Sequence, residues 1–179
     1  MNTGDLLTLP EERRIVTVLF ADVTGFTAMS EQMDMEDVRD LIDACWQRLD
    51  ATIVQYGGRI DKHIGDAVMA VWGAPHAGED DAANTVRAGL ALQRELAEFN
   101  RGRPGGAELL IRVGINTGPV LAGTVGSLDE YTVIGDTVNL ASRVQALAEP
   151  GTVVIGPQTF EEVRGLFDLQ RRDLLLSHD

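Results

Sequence analysis

Two aspartates stand beside apolar runs that predict buried strands. Asp22 follows the run Ile15 to Phe20, whose apolar and β-branched residues predict a strand buried on both faces. Asp66 lies in the segment "RIDKHIGDAVMAVWG", which predicts two short strands joined by a turn around Gly65 and Asp66. An unpaired charge taken out of water is strongly unfavourable, so these carboxylates need a partner. Carboxylates at the ends of neighbouring strands suit a pair of Mg²⁺ ions that also bind phosphate oxygens.

Each aspartate also has an ordinary structural interpretation. Asp22 stands just before a predicted helix and could cap its N-terminus, and Gly-Asp is common in turns. The segment Thr24 to Thr27, which includes Gly25 and Phe26, would present free backbone N–H groups at the start of that helix. Such groups bind phosphate. Their position beside one carboxylate favours a phosphate and metal site over two unrelated turns.

Asn139 and Arg143 form a second polar pair. They lie four residues apart on a helix predicted to begin near Asp136, so both side chains project from one face. An amide beside a guanidinium suits a ribose oxygen and a phosphate that carries developing charge. A solvated helix face would have the same spacing, and that alternative stays open on the spacing alone.

Lys62 is the remaining candidate, either as part of a site or as a surface lysine that pairs with Asp61. The three histidines have no metal-ligand spacing, and no Ser, Cys or His arrangement is typical of covalent catalysis. The GxxxxGK[ST] and GxGxxG phosphate-binding patterns are also missing from the sequence. An enzyme built on these residues would therefore use a nucleophile that the protein does not supply.

The composition restricts the class of protein. The chain has 179 residues, 44% of them hydrophobic, which fits one globular domain. Its formal net charge of −13 argues against a nucleic-acid binder. Cys45 is the single cysteine, which excludes an intramolecular disulfide and a cysteine-rich zinc site, and its helical neighbours predict a buried thiol. We expect a cytoplasmic protein without a membrane segment, since the sequence has neither a membrane-length apolar stretch nor a signal-peptide core.

Strands and helices alternate along the chain. Apolar stripes predict long helices in "DMEDVRDLIDACWQRLDATIVQYGG" and "EDDAANTVRAGLALQRELAEFN". The segment "AELLIRVGINTGPVLAGTVG" predicts two strands broken at Gly118 and Pro119. This alternation is typical of an α/β or α+β sandwich with helices packed on a mixed sheet. We expect an N-terminal arm over residues 1–11 and one domain over residues 12–179, taken from a longer protein.

Four segments resemble the core motifs of class III nucleotidyl cyclases, and they occur in the same order: "VTVLFADVTGFTAMSE", "KHIGDAVMAVWG", "VGINTGPVLAGTVG" and "YTVIGDTVNLASR". The resemblance implies a ferredoxin-like fold related to polymerase palm domains. It also implies that two catalytic domains pair head to tail, with active sites in the cleft between them. The implied enzyme is an adenylyl cyclase, a homodimeric lyase that converts ATP to 3′,5′-cyclic AMP and pyrophosphate.

The resemblance implies a role for each candidate residue. Asp22 and Asp66 would bind two divalent metal ions, Mg²⁺ or Mn²⁺, at one site. Three residues would serve the other site by recognising the purine, orienting the ribose and stabilising the transition state: Lys62, Asn139 and Arg143. Backbone amides near the first aspartate would bind the triphosphate, those of Gly25, Phe26 and Thr27. The substrate's own 3′-hydroxyl would attack the α-phosphorus, in keeping with the missing protein nucleophile.

Lys62 and Thr132 bear on the choice of base. Lysine can only donate, and N1 of adenine accepts whereas N1 of guanine donates, so Lys62 favours ATP over GTP. Guanylyl members of the family tend to carry glutamate at this position. Thr132 stands where many adenylyl members have an aspartate that receives the adenine amino group, and a hydroxyl can either accept or donate. Threonine here resembles a subgroup that includes bicarbonate-responsive cyclases, so stimulation by bicarbonate is a hypothesis.

The end of the chain departs from the family pattern. The family often has a triphosphate-binding lysine near the position of Ser177, and Arg171 or Arg172 could replace it. Two other functions stay open, a catalytically silent nucleotide-binding or dimerisation module and a guanylyl cyclase. The retained aspartates, Asn139 and Arg143 favour an active enzyme. Regulatory domains, if any, would lie outside this chain.

Overall fold

The computed structural model describes residues 10–103, 105–125 and 130–172, in which strands and helices alternate. The elements in chain order are β1 (Glu12–Thr24), α1 (Phe26–Ser30), α2 (Met35–Gln55), β2 (Arg59–Ile64), β3 (Ala67–Trp72), α3 (Asp81–Arg101), β4 (Leu110–Val125), β5 (Glu130–Ile134), α4 (Asp136–Leu147), β6 (Val153–Ile155) and α5 (Pro157–Val163). The predicted arm over residues 1–11 lies almost wholly outside the described residues. Within those residues, no helix has both the length and the apolar character that crossing a bilayer requires.

The strands form one mixed sheet in the order β2-β3-β1-β4-β5, with β6 also paired to β4. Neighbours along this order are antiparallel, whereas β6 runs parallel to β4. The central strand β1 buries Val16 to Ala21 on both of its faces, as predicted, although Ile15 is 63% exposed. The predicted fold class, a mixed sheet with helices packed on it, is confirmed.

Helices cover the two faces of the sheet unequally. α2 and α3 pack on one face against alternate strand residues such as Leu19, Trp72 and Ile111. The apolar stripe predicted for α2 is buried or partly buried along its length: Val38, Leu41, Ile42, Cys45, Leu49 and Ile53. A smaller apolar cluster lies on the opposite face, where α4 contributes Ala141. α4, which carries Asn139 and Arg143, therefore lies apart from the main helical layer.

β4 is a single strand, so the predicted break at Gly118 and Pro119 was wrong. Proline lacks an N–H and normally interrupts a strand ladder. Here Pro119 pairs with Ile15 of β1 at a stretch where β4 has no described strand on its other side. There β6 pairs only as far as Ile115, and β5 begins to pair at Leu121. The N–H that Pro119 lacks therefore removes no hydrogen bond on the side of β4 away from β1.

Glycines on β4 let α4 approach the sheet closely. A Cβ on Gly114 would lie 2.2 Å from the backbone nitrogen of Gln145, and a Cβ on Gly118 would lie 2.5 Å from Oγ1 of Thr137. Between them, the Asn116 side chain donates from Nδ2 to the Thr137 carbonyl at 3.1 Å. α4 is thus fixed to β4 near both of its ends, and this contact sets the direction of the helix.

Candidate active site

The two candidate metal ligands lie together at one end of the sheet. Asp22 is within β1, opposite Ala67 of β3, and Asp66 occupies the turn just before β3. The N–H of Val23 donates to the carbonyl of Asp66 at 3.2 Å, which ties this turn to β1. The structure therefore brings both aspartates to one place, as a two-carboxylate site requires.

The charges around Asp22 fit a divalent cation. Burial raises the pKa of the Asp22 carboxyl above its ordinary 3.8, and the negative charge of Asp66 raises it further. Arg112, opposite Asp22 on β4, acts in the other direction. Across the described residues, no three or more His, Cys, Asp or Glu side chains are arranged to hold a metal. The other ligands of an ion at Asp22 and Asp66 would be oxygens of the backbone, of water or of a nucleotide's phosphates.

The turn after β1 places backbone amides close to Asp22 in the sequence. Gly25 has φ +107° and precedes α1, and a Cβ there would lie 2.9 Å from the Glu108 carbonyl oxygen. Because Gly25 takes the capping position and α1 has no side-chain cap, Asp22 is not a helix cap. The first amides of the helix, those of Phe26 and Thr27, have no partner within the helix. Together with the amide of Gly25, these are the amides expected to contact phosphate.

Lys62 and Thr132 meet at one buried carboxylate. Thr132 donates from Oγ1 to Oδ2 of Asp61 at 2.8 Å, and Nζ of Lys62 lies 3.4 Å from the same oxygen. The Lys62 side chain is 49% exposed, so its ammonium also reaches solvent, whereas the Asp61 side chain is 0% exposed. The ion pair between Lys62 and Asp61 that the sequence suggests is therefore present. The contact between Asp61 and Thr132, which lie 71 positions apart, was not predicted.

Arg59 completes this cluster and was also missed by the sequence analysis. Its Nη2 donates to Oδ1 of Asp61 at 3.1 Å, its Nη1 donates to the Tyr131 carbonyl at 3.5 Å, and its guanidinium lies 5.0 Å from the Tyr131 ring centroid. These contacts join β2 to β5, although the two strands stand at opposite ends of the sheet order. The sheet must curl to bring them together, and that curl assembles the cluster.

Asn139 and Arg143 line an open groove of about 870 Å³ between α4, α5 and the middle of β4. Both side chains are exposed. The start of α4 is fixed by Thr137, which donates from Oγ1 to the Pro119 carbonyl at 2.8 Å. The four-residue spacing therefore places both side chains on one groove, in a position to contact a ligand from the same side.

The carboxylate pair and this groove are separate within one chain. Neither Asp22 nor Asp66 lines the groove, whereas Ile15 does. Ile15 precedes Asp22 by seven residues on β1, which corresponds to about 23 Å along an extended strand. A single chain therefore does not bring the metal ligands and the Asn139–Arg143 pair to one point.

The residues considered as replacements for a triphosphate-binding lysine are only partly described. Ser177 lies outside the described residues. Arg172 is placed with Nη1 3.7 Å from Oε1 of Glu149, and both side chains are well exposed. This surface ion pair gives no indication of a phosphate site at Arg172.

Comparisons with known proteins indicate the same class of enzyme. Residues 9–175 match the family model "Adenylate and Guanylate cyclase catalytic domain". Members of this family are nucleotide cyclases, phosphorus–oxygen lyases that act as dimers and use divalent metal ions. The chain is 37% identical over 144 residues to the adenylate cyclase of Anabaena cylindrica, a match that covers 76% of this chain and 28% of that protein. It spans 22–28% of the length of three adenylate cyclases among its curated relatives and 12–15% of the length of receptor-type relatives.

Solved structures of both substrate types are similar to this chain. The adenylyl cyclase CyaB from P. aeruginosa is 34% identical with a TM-score of 0.83, over 88% of this chain and 84% of that one. The guanylyl cyclase Cya2 is 33% identical with a TM-score of 0.79, over 87% of this chain and 80% of that one. The likeness to an adenylyl and to a guanylyl cyclase is nearly equal, so the base must be argued from the site.

Proposed function

Because this chain belongs to the adenylate and guanylate cyclase family, we propose that it is an adenylyl cyclase that converts ATP to 3′,5′-cyclic AMP and pyrophosphate. The observation that carries the choice of ATP is the placement of Lys62 and Thr132 at one carboxylate, within reach of a single base. The ammonium of Lys62 can only donate, and adenine offers an acceptor at N1 where guanine offers a donor.

The reaction needs no protein nucleophile. The 3′-hydroxyl oxygen of the ribose attacks the α-phosphorus, the bond from that phosphorus to the pyrophosphate oxygen breaks, and the hydroxyl proton is released. Asp22 and Asp66 would hold two divalent ions, which supply charge neutralisation and make the 3′-hydroxyl more acidic when bound. Arg143 would neutralise negative charge that grows on the phosphoryl oxygens, and Asn139 would orient the ribose.

We place the working site between two copies of the chain, paired head to tail. Each copy would supply Asp22 and Asp66 to one site and the groove residues Asn139 and Arg143, with Lys62, to the other. The separation of the carboxylates from the groove supports this arrangement, because neither half is complete alone. A second copy would also cover apolar surface in the groove, which includes Ile15, 63% exposed.

Three further points belong to the proposal. Gly25, Phe26 and Thr27 would direct backbone amides to the triphosphate beside the metal ions. Thr132 is the basis for the hypothesis that bicarbonate stimulates the enzyme, and a flat response to bicarbonate at fixed pH would contradict it. Regulatory domains would lie in a longer protein, in keeping with the larger size of the curated relatives.

The alternatives make different predictions for one experiment, the analysis of products after incubation with ATP or GTP and Mn²⁺ or Mg²⁺. We expect cyclic AMP from ATP, little cyclic GMP from GTP, and loss of both in the Asp66→Ala variant. Cyclic GMP as the main product would identify a guanylyl cyclase. A folded and dimeric chain that cyclises neither nucleotide would instead support a silent nucleotide-binding or dimerisation module.

A further inference from the structure

Asp61 is a buried carboxylate to which the mechanism above gives no role. It accepts hydrogen bonds from Thr132 on one oxygen and from Arg59 on the other, and Lys62 lies beside it. Its side chain has no exposed surface, whereas Arg59 keeps 30% and Lys62 keeps 49%. A buried charge is tolerated only where its partners are well placed, so this carboxylate and its three neighbours have a defined arrangement.

We propose that Asp61 fixes the direction of the Thr132 hydroxyl and thereby makes Thr132 an acceptor toward the substrate's base. A hydroxyl has one proton and two lone pairs, and an ionised carboxylate can only accept. The proton of Thr132 therefore lies on its 2.8 Å bond to Asp61. What Thr132 offers to a ligand is lone pairs alone. Asp61 acts through Thr132 and is a positioning residue.

This polarity selects adenine over guanine at two adjacent atoms. The inference rests on the proposed function, in which Lys62 and Thr132 contact the base. Lys62 supplies a donor, which fits N1 of adenine, and Thr132 supplies an acceptor, which fits the 6-amino group. Guanine has the opposite pattern, with a donor at N1 and an acceptor at O6. The threonine hydroxyl, which by itself could donate or accept, then offers the base an acceptor, as a carboxylate would, because its proton is already donated to Asp61.

The Asp61→Asn variant tests this inference, since asparagine has one acceptor oxygen and one NH₂ donor. Arg59 is held by the carbonyls of Ala74 and Tyr131 and lies 3.1 Å from Oδ1, whereas Lys62 is 49% exposed and lies 3.4 Å from Oδ2. The amide oxygen therefore stays on the side of Arg59, and the ammonium of Lys62 turns to solvent. The NH₂ group then faces Thr132 and donates to it. The hydroxyl proton of Thr132 is released toward the base, where it suits O6 of guanine.

We expect the ratio of kcat/KM for ATP to kcat/KM for GTP to fall by about 10- to 100-fold in Asp61→Asn. The same substitution in a Thr132→Val background should change the ratio by less than about threefold, because no hydroxyl remains to be reoriented. Arg59→Gln is the matched structural control. It removes a different partner of Asp61 and weakens the link between β2 and β5, and it should lower thermal stability but leave the ratio unchanged.

Binding measurements separate this inference from the proposed function. With Mn²⁺ and the non-cyclisable 3′-deoxy-ATP and 3′-deoxy-GTP, the ratio of dissociation constants should shift in Asp61→Asn in the same direction as the kinetic ratio. If the wild-type chain makes no cyclic AMP but this binding ratio shifts, the proposed function fails and the role of Asp61 stands. If cyclic AMP forms but neither ratio moves in a folded Asp61→Asn protein, the role of Asp61 is refuted. An equal shift in Arg59→Gln would also refute it.

Discussion

Replacing Gly114 by alanine should damage both the stability and the activity of the protein, although the residue touches no substrate. The added Cβ would lie 2.2 Å from the backbone nitrogen of Gln145 and 2.4 Å from its Cα. Ordinary carbon contacts are about 3.5–4 Å, so α4 must retreat from β4 by more than about 1 Å. The obstacle is helix backbone, which no side-chain rotation can relieve. We therefore expect destabilisation at the upper end for overpacking, about 3 kcal/mol.

The same retreat moves Asn139 and Arg143, which α4 carries. For a chain of this size, 3 kcal/mol lowers the thermal midpoint by roughly 6–12 °C, and a displacement near 1 Å can reduce turnover by about 100-fold. Thermal unfolding gives the first value, and steady-state kinetics well below both midpoints give the second. Gly102→Ala is the control, because Gly102 has φ −70° and a Cβ there would meet no atom of the described residues closer than 3.5 Å. A Gly114→Ala protein with wild-type midpoint and turnover would refute the close contact between α4 and β4.

Three further outcomes follow from the site and the core. Asp22→Ala and Arg143→Ala chains should each be nearly inactive. Mixing them should restore roughly a quarter of wild-type activity, since half of the dimers are mixed and each mixed dimer has one intact site. No recovery in demonstrably mixed dimers would contradict the shared site. Mn²⁺ at 100 times its dissociation constant should stabilise the wild-type chain by about 2.7 kcal/mol, measured as a rise in the thermal midpoint. Asp66→Asn should remove this rise. An unchanged rise in the variant would show that the ion binds elsewhere. Burial raises the pKa of the Cys45 thiol from 9.0 to about 11. The neutral thiol therefore contributes fully to stability below pH 9, and this contribution is lost as the pH rises through 11. Urea titrations at pH 8 and pH 11 should show a larger fall in the free energy of unfolding in the wild type than in Cys45→Ala.

The elements of the fold could be predicted because their signals are local. The buried run before Asp22, the apolar stripe of α2 and the turn at Asp66 depend on neighbours within a few residues, and each element occurs near its predicted place. β1 differs in that it continues through Asp22 to Thr24, because its pairing with β4 extends that far. The error in β4 has the same origin. Gly118 and Pro119 are local signals for a break, but the position of the strand beside an open stretch of the sheet decides the outcome, and only the strand order reveals that stretch.

The parts of the site that sequence reasoning missed depend on long-range contacts. Asp61 stands next to Lys62 in the chain, so their ion pair could be considered from the sequence. Its contact with Thr132 forms only because the curled sheet brings β2 to β5. Arg59 has no motif of its own, and its role follows from the carbonyl of Tyr131 that it reaches across the same gap. No local periodicity carries this information.

Whether a site residue is exposed or buried decides what a substitution at that residue can show about the reaction. Asn139 and Arg143 are exposed, so alanine at either of them removes little packing and should leave the fold intact. Alanine at Lys62 also removes a partner of the buried Asp61 carboxylate. The residues that position α4 and the Thr132 hydroxyl are the opposite case. Gly114 admits α4 only because it has no side chain, and the Asp61 side chain is buried among Arg59, Lys62 and Thr132. A lost activity at the exposed group therefore measures a missing interaction with the nucleotide. A loss of activity after substitution of a buried residue measures the displacement of the groups that this residue positions. The change in base preference must therefore be measured separately from the change in rate.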